Sequence, residues 1–337
     1  MTVAVSPAPR VALSLMPLEN RRDVLVSTAI AADRLGYDGY YLPETWAYDT
    51  TIVLAEAALK TARIGLGTGI LGVWNRSAGT LAMAAATLAS ISSGRFTLGL
   101  GISTPQLAEG LHDVRFELPL GRLRRTIGQV RALLRGERIP LAVATHARPL
   151  KLNVPPLPAI PIYVAAIGEQ SVRLTGELAD GWVPFMYPRR CLAQGIEQLR
   201  EGAARGHADR VPLVCPSIPA VVADDPATAH EGAAWFVAFY LVSMGTLYRQ
   251  SLVRQGFGKE VEAVLAANAP KFTGAVPPDA EALLEELIVF GTPSQARARL
   301  ARWYAAGAVM PILLLRPQLG ADELELTLNA LRPAALT

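Results

Sequence analysis

The chain has 337 residues, 51% of them hydrophobic and 18% charged, enough to bury a full core and too apolar for a disordered segment. Its net charge of +3 arises from 32 basic and 29 acidic residues scattered along the sequence, which excludes the clustered basic stripe of a nucleic-acid binder. Cys191 and Cys215 stand far apart in no metal-like spacing, so neither a disulfide framework nor a zinc site is expected and a reducing cytoplasm fits. No export signal opens the sequence, and the longest apolar helical stretch, about Trp235 to Gly245, is too short to span a bilayer, so no membrane association is expected.

Strand-like apolar runs are predicted at Val11–Leu15, Gly39–Leu42, Ile64–Thr68, Phe96–Leu100, Ile162–Ala166, Gly181–Phe185, Val211–Val222 and Pro311–Leu315. Helical patterns fall between them, for instance at Arg21–Leu35, Leu81–Ser92, Leu120–Leu134 and Ser171–Ala179. Alternation of strand and helix argues for a parallel sheet. Eight such runs, in a chain above the ~250 residues typical of the fold, predict a single α/β domain over 1–337, a (β/α)8 TIM barrel. The surplus lies between the seventh and eighth strands, as a helical insertion over about 224–290.

Ligands of such barrels bind at the carboxyl ends of the strands. Those ends hold Met16 and Pro17, Pro43 to Trp46, Gly69 to Gly72, Gly101 to Thr104, Ala165 to Gly168, Pro184 to Tyr187, Ser217 to Pro219, and Arg316. Glu44 is the one carboxylate among them, with no lysine or cysteine nucleophile and no histidine cluster, so a hydrolytic triad or a metal centre lacks its parts. The set is rich in glycine and apolar residues, as a bed for a large flat cofactor would be.

Gly67–Gly72 matches GxGxxG, but the next helix begins only near Gly79 and no acidic residue follows about 20 positions on to hold a ribose. Its glycines serve either close packing in the barrel or a flat ring laid on bare backbone. Glu44 reads as a general acid, as an acceptor for a cofactor, or as a carboxylate at a helix start capped by Asp49 or Thr50. Ala165 to Gly168 lead straight into a helix, where free amides suit a phosphate, or simply make a strand-to-helix turn. The histidines His112, His146, His207 and His230 show no ligand spacing, and His112 reads best as a surface or structural residue. In the insertion Phe236, Tyr240, Met244 and Tyr248, with Trp235 and Phe239 alongside, make an aromatic helix face that belongs to a core, a subunit contact or a lid.

The segments Ala32 to Glu44, Arg63 to Ile70, Ser93 to Gly101, Pro161 to Ala166, Glu177 to Trp182 and Val289 to Pro293 together resemble the luciferase-like oxidoreductases, over nearly the whole chain. Val237 to Tyr240 followed by Ser243 to Gly245 are most similar to the branch using the deazaflavin coenzyme F420, which includes methylenetetrahydromethanopterin reductases and secondary-metabolite reductases. The resemblance implies a luciferase-like barrel, usually a homodimer, with F420 across the strand ends and a small-molecule substrate above it. It implies hydride transfer between the deazaflavin and a C=C, C=N or C=O group; the competing readings are an FMN-dependent monooxygenase and a cofactor-binding protein without catalysis. It further implies a bulge with a non-proline cis peptide at Gly69–Ile70 behind the ring. Glu44, Thr45, Gly69, Ile70, Gly101, Ile102, Ser103, Thr104, Ala165, Ala166, Ile167 and Gly168 would meet the cofactor. Met16, Trp46, Phe185 and Ser217 would face the substrate, and Glu44, Thr104 or Tyr48 would carry the catalytic proton. The chain departs from the family where Thr104 replaces an acidic residue and Thr45 a histidine. Ile139 to Leu152 also lack the family's aspartate, glycine and aromatic pattern, which predicts an altered substrate mouth.

Overall fold

A computed structural model describes residues 9–206 and 210–336. The strands β1 (Ala12–Leu15), β2 (Gly39–Pro43), β3 (Gly65–Gly72), β4 (Phe96–Gly101), β5 (Ile162–Ala165) and β6 (Gly181–Trp182) are followed by β7 (Leu213–Val214), β8 (Ser217–Val222), β9 (Val289–Gly291) and β10 (Ile312–Leu315). The helices α1 (Arg22–Leu35), α2 (Thr50–Lys60), α3 (Ala78–Ile91), α4 (Pro105–Gly110), α5 (Pro119–Leu134), α6 (Glu169–Leu178) and α7 (Leu192–Arg205) pack outside the sheet. After β8 come α8 (Pro226–Ser243), α9 (Leu247–Arg254), α10 (Gly258–Ala267) and α11 (Glu281–Leu287); α12 (Pro293–Ala305) and α13 (Ala321–Leu331) flank β10. All strand pairs are parallel, in the order β7-β6-β5-β4-β3-β2-β1-β10-β8-β9.

The run predicted as one strand over Val211–Val222 is split into β7 and β8 because Pro216 has no N–H to give a ladder. The two halves still complete the ring. Cys215 and Ser217 donate to the carbonyls of Trp182 and Pro184 at 2.8 Å each, Ile312 donates to Pro216, and Phe185 bridges Ser217. β1, β4 and β10 are buried along their whole length, the mark of parallel strands covered on both faces. Helix starts follow the expected cap chemistry: Asp49 accepts from the Thr51 amide, Ser77 from Thr80 and Asp225 from Thr228.

β3 carries the predicted bulge. Leu42 pairs with Thr68 and Pro43 with Ile70, so Gly69 is the extra residue. Across the gap the Thr68 hydroxyl donates to the Gly99 carbonyl (2.9 Å) and accepts the Gly99 amide (2.7 Å), replacing rungs that the bulge removes. The expected cis bond is absent: Gly69–Ile70 is trans, and among the described residues the cis peptide is Ala269–Pro270. The side-chain stitch through Thr68 absorbs the extra residue instead. A Cβ on Gly69 would lie 2.6 Å from the Pro43 nitrogen, so its bareness answers to strand β2.

The insertion builds a second apolar cluster, in which Phe236, Leu241, Leu252, Phe257, Val264 and Leu283 meet Met16, Met186 and Leu314 of the barrel mouth. It closes on a strand, for β9 begins at Val289 and pairs with Ala220 to Val222, the part of β8 that runs beyond the ring. The insertion therefore stands over the carboxyl ends of the strands.

Candidate active site

One cavity of about 610 Å³ opens at those ends. Its floor is formed by Pro43 to Thr45, Gly69 and Ile70, Gly101 to Thr104, and Ala165 to Gly168; Phe185, Ser217, Tyr240, Met244, Leu247 and Tyr248 rise over it. All twelve residues assigned from sequence to a cofactor line this space, as do Phe185 and Ser217 of the substrate set. Three assignments are corrected. Met16 is 1% exposed and turned into the core beneath the insertion. Trp46 is half-exposed outside the cavity, and the Tyr48 hydroxyl, also outside, donates to the Asn20 carbonyl at 3.1 Å. The loop after Glu44 turns outward to deliver Asp49 as the cap of α2, taking both rings with it.

Glu44 reaches the cavity under constraint. Its Oε2 accepts the Thr50 amide at 3.1 Å and the Arg76 guanidinium at 2.9 Å, and Arg76 also holds Asp49 at 2.8 Å. Burial opposes the charge on Arg76, but its bonds to Asp49 and Glu44 outweigh that and raise its pKa. Arg76 was not anticipated; a lone cation following the glycine strand was its one sequence signal. Thr45 donates to the Pro17 carbonyl, and Thr104 caps α4 by accepting the Leu107 amide, which leaves its own hydroxyl proton free. Ser103 holds a left-handed φ of 57°, a strained setting that turns the chain at the cavity wall. Behind β4, the Trp74 indole donates to the Ile102 carbonyl at 2.7 Å under the Arg122 guanidinium, bracing that wall.

Gly168 to Ser171 at the amino terminus of α6 line the cavity, as does Arg254 of α9. Arg254 has no acidic partner among the described residues. The helix-start amides of Glu169 and Gln170, with a guanidinium that has no carboxylate partner in the same cavity lining, suit a phosphate. The flat apolar floor, the cavity size and this anion corner fit a phosphorylated tricyclic cofactor. No residue of Ile139 to Leu152 lines the cavity, so the mouth is built by the insertion instead.

The remaining candidates fall elsewhere. The aromatic face divides: Phe236 is buried in the insertion core, whereas Tyr240, Met244 and Tyr248 line the cavity. His112 is half-buried with an unpartnered Nε2 outside the cavity, His230 pairs with Glu281 at 2.9 Å, and His207 lies outside the described residues. Among the described residues, no three His, Cys, Asp or Glu side chains gather as a metal site and no helix is long and apolar enough to cross a membrane.

A curled parallel barrel with a cavity of this size at its strand ends has the fold of the luciferase-like class. The chain belongs to the luciferase-like monooxygenase family, whose family model matches residues 1–310. It is 33% identical to a Mycobacterium tuberculosis protein provisionally named a coenzyme F420-dependent oxidoreductase, over 84% of this chain and 88% of that one. The coenzyme F420-dependent tetrahydromethanopterin reductase of Methanopyrus kandleri superposes with a TM-score of 0.73 at 17% identity, covering 96% of this chain and 98% of that one. The oxygenating constituent of 3,6-diketocamphane monooxygenase from Pseudomonas putida, in complex with FMN, superposes at 0.72 and 18% identity, covering 98% and 100%.

Proposed function

We propose that the protein is an F420-dependent oxidoreductase that transfers hydride between the deazaflavin and a C=C, C=N or C=O group of a small organic molecule. The observation that carries this reading is the glycine- and alanine-floored cavity joined to an anion corner, in a chain one-third identical to a relative named for F420. When bound, the reduced deazaflavin supplies a hydride. Gly69, Ile70, Gly101, Ala165 and Ala166 would hold the ring, and the α6 terminus with Arg254 the phosphate. The apolar walls would keep the reacting groups together, so positioning would supply most of the catalysis.

The likeness to an FMN-bound monooxygenase favours a second reading, oxygen activation at a true flavin. Titration of the purified protein with each oxidised cofactor separates them. Tight F420 and weak FMN binding is expected; the reverse order overturns the assignment, and tight binding with no turnover on ketones, enones and imines points to a protein that binds without catalysis. Arg254→Ser should weaken F420 binding by about tenfold or more, the loss of one charge-assisted bond. We further propose a cytoplasmic homodimer. Ile52 and Leu59 on α2 and Met83 on the adjoining α3 are exposed apolar side chains that a second copy would cover. Ile52→Glu with Leu59→Glu should then halve the mass found by light scattering.

A further inference from the structure

The polar groups on the cavity floor are largely committed within the protein. Glu44 is bound by Arg76 and the Thr50 amide, Thr45 by Pro17, Ser14 by Leu15 and Thr104 by its helix start. The roof presents the opposite case. Tyr240 is 3% exposed, and it meets Tyr248 edge to face with ring centroids 5.5 Å apart. Both rings pack on Phe185, at 4.7 and 5.5 Å. Among the described residues neither phenol has a hydrogen-bond partner, whereas the buried Tyr37 and Tyr40 hydroxyls donate to the Leu328 and Leu25 carbonyls. Both residues line the cavity, and neither hydroxyl is among the sealed, partnerless atoms of the described residues such as Thr28 Oγ1 and Gln255 Oε1. Burial pushes the Tyr240 phenol well above its ordinary value, and the Tyr248 phenol up to about 12. They stand protonated, as donors facing an apolar space.

We propose that Tyr240 and Tyr248 grip the carbonyl oxygen of an apolar ketone or aldehyde, and that Tyr240 gives that oxygen its proton. Phe185, Leu107, Leu120, Met244 and Leu247 supply the hydrocarbon surroundings, so the substrate carries one polar atom and a bulky apolar body. The redox half of this step rests on the deazaflavin reading; the hydrogen bonds do not. Hydride from the reduced deazaflavin, which leaves oxidised, adds to the carbonyl carbon as the C=O π bond breaks. The electron pair passes to oxygen, which takes the Tyr240 proton to become a hydroxyl. Tyr248, the less buried of the pair, returns a proton from solvent. A phenol with a raised pKa is a weak acid, yet the alkoxide formed on hydride arrival is a stronger base, so the transfer runs downhill.

The test uses acetophenone, ordinary and carbonyl-13C-labelled, bound to the protein with and without saturating oxidised F420. The isotope-edited infrared difference spectrum isolates the ketone band, which moves to lower wavenumber when its oxygen accepts hydrogen bonds. The native protein should lower the band below its position in hexane, Tyr240→Phe and Tyr248→Phe should each restore part of the shift, and the double variant most of it. With reduced F420, Tyr240→Phe should lower kcat by about 100- to 10,000-fold and raise KM by about tenfold at most, with little change in F420 affinity. A band unchanged in the double variant overturns the proposal, as does a band moved by Ser217→Ala alone or a native protein that fails to bind the ketone. A normal band shift in a protein that does not bind F420 upholds the tyrosine grip and sinks the deazaflavin reading, so the two failures are distinguishable.

Discussion

Arg76 decides how Glu44 can act, since a carboxylate bonded to a guanidinium and a helix-start amide is an acceptor with a fixed direction. Glu44→Gln keeps the shape but removes the charge, leaving Asp49 as the carboxylate paired with Arg76. The expected cost is about 1–3 kcal/mol of stability in urea denaturation, the penalty for loosening a partly buried charged bond. F420 affinity should fall by about 1 kcal/mol as well. Unchanged values on both counts would separate the carboxylate from both scaffold and ligand. The cavity floor was legible from sequence because parallel strands deliver their carboxyl ends to one side, which gathers residues as distant as Glu44 and Gly168. Side-chain direction was not. Met16 leaves β1 toward the insertion, and Trp46 and Tyr48 ride a loop whose exit angle is set by the Asp49 cap; neither outcome is encoded in residue type.

At the scale of elements, α8 serves two surfaces at once. Phe236 fills the cluster beneath the insertion, and Tyr240, one turn on, faces the cavity. Phe236→Ala should therefore cost about 3–5 kcal/mol, the range for a fully buried aromatic. Tyr240→Phe, which removes no packing and no internal bond, should unfold within about 0.5 kcal/mol of the native protein; chemical denaturation of the pair checks the contrast. Sequence could not divide the stripe, because a core and an apolar lid ask for the same residues at the same spacing. The bulge in β3 was foreseen, but its means of support was not: Thr68, which bridges Gly99 twice, reads in sequence as an ordinary strand residue.

Across the whole molecule, Asp180 ties the outer helices to the ring. Its carboxylate accepts the Ile162 amide at 2.8 Å, Arg131 of α5 at 2.9 Å and Arg210 at 2.8 Å. Burial would raise its pKa, but the Ile162 amide and the two guanidinium groups outweigh that and lower it. A carboxylate with a depressed folded pKa stabilises the fold fully above its unfolded value near 3.9, and that contribution is lost as pH falls through the folded value. Asp180→Asn should thus destabilise the protein at pH 7 by about 1–3 kcal/mol and flatten the acid limb of its stability profile. Equal slopes for the two proteins below pH 4 would show that other carboxylates govern acid unfolding. The barrel was readable at this scale from strand spacing, whereas β9 and the break at Pro216 depended on how the ring and the insertion close.

That closure has a thermodynamic corollary. Between Trp182 and β8 the ring is joined by a short run of rungs, the last being the Ser217 amide to the Pro184 carbonyl where Phe185 meets Ser217. Both Phe185 and Ser217 also face the cavity, so a molecule lodged there touches each side of the joint. Binding there should stabilise the joined ring by linkage, like a last stave set in a cask, and slower exchange of the Ser217 amide with deuterated solvent would gauge how full the vessel is.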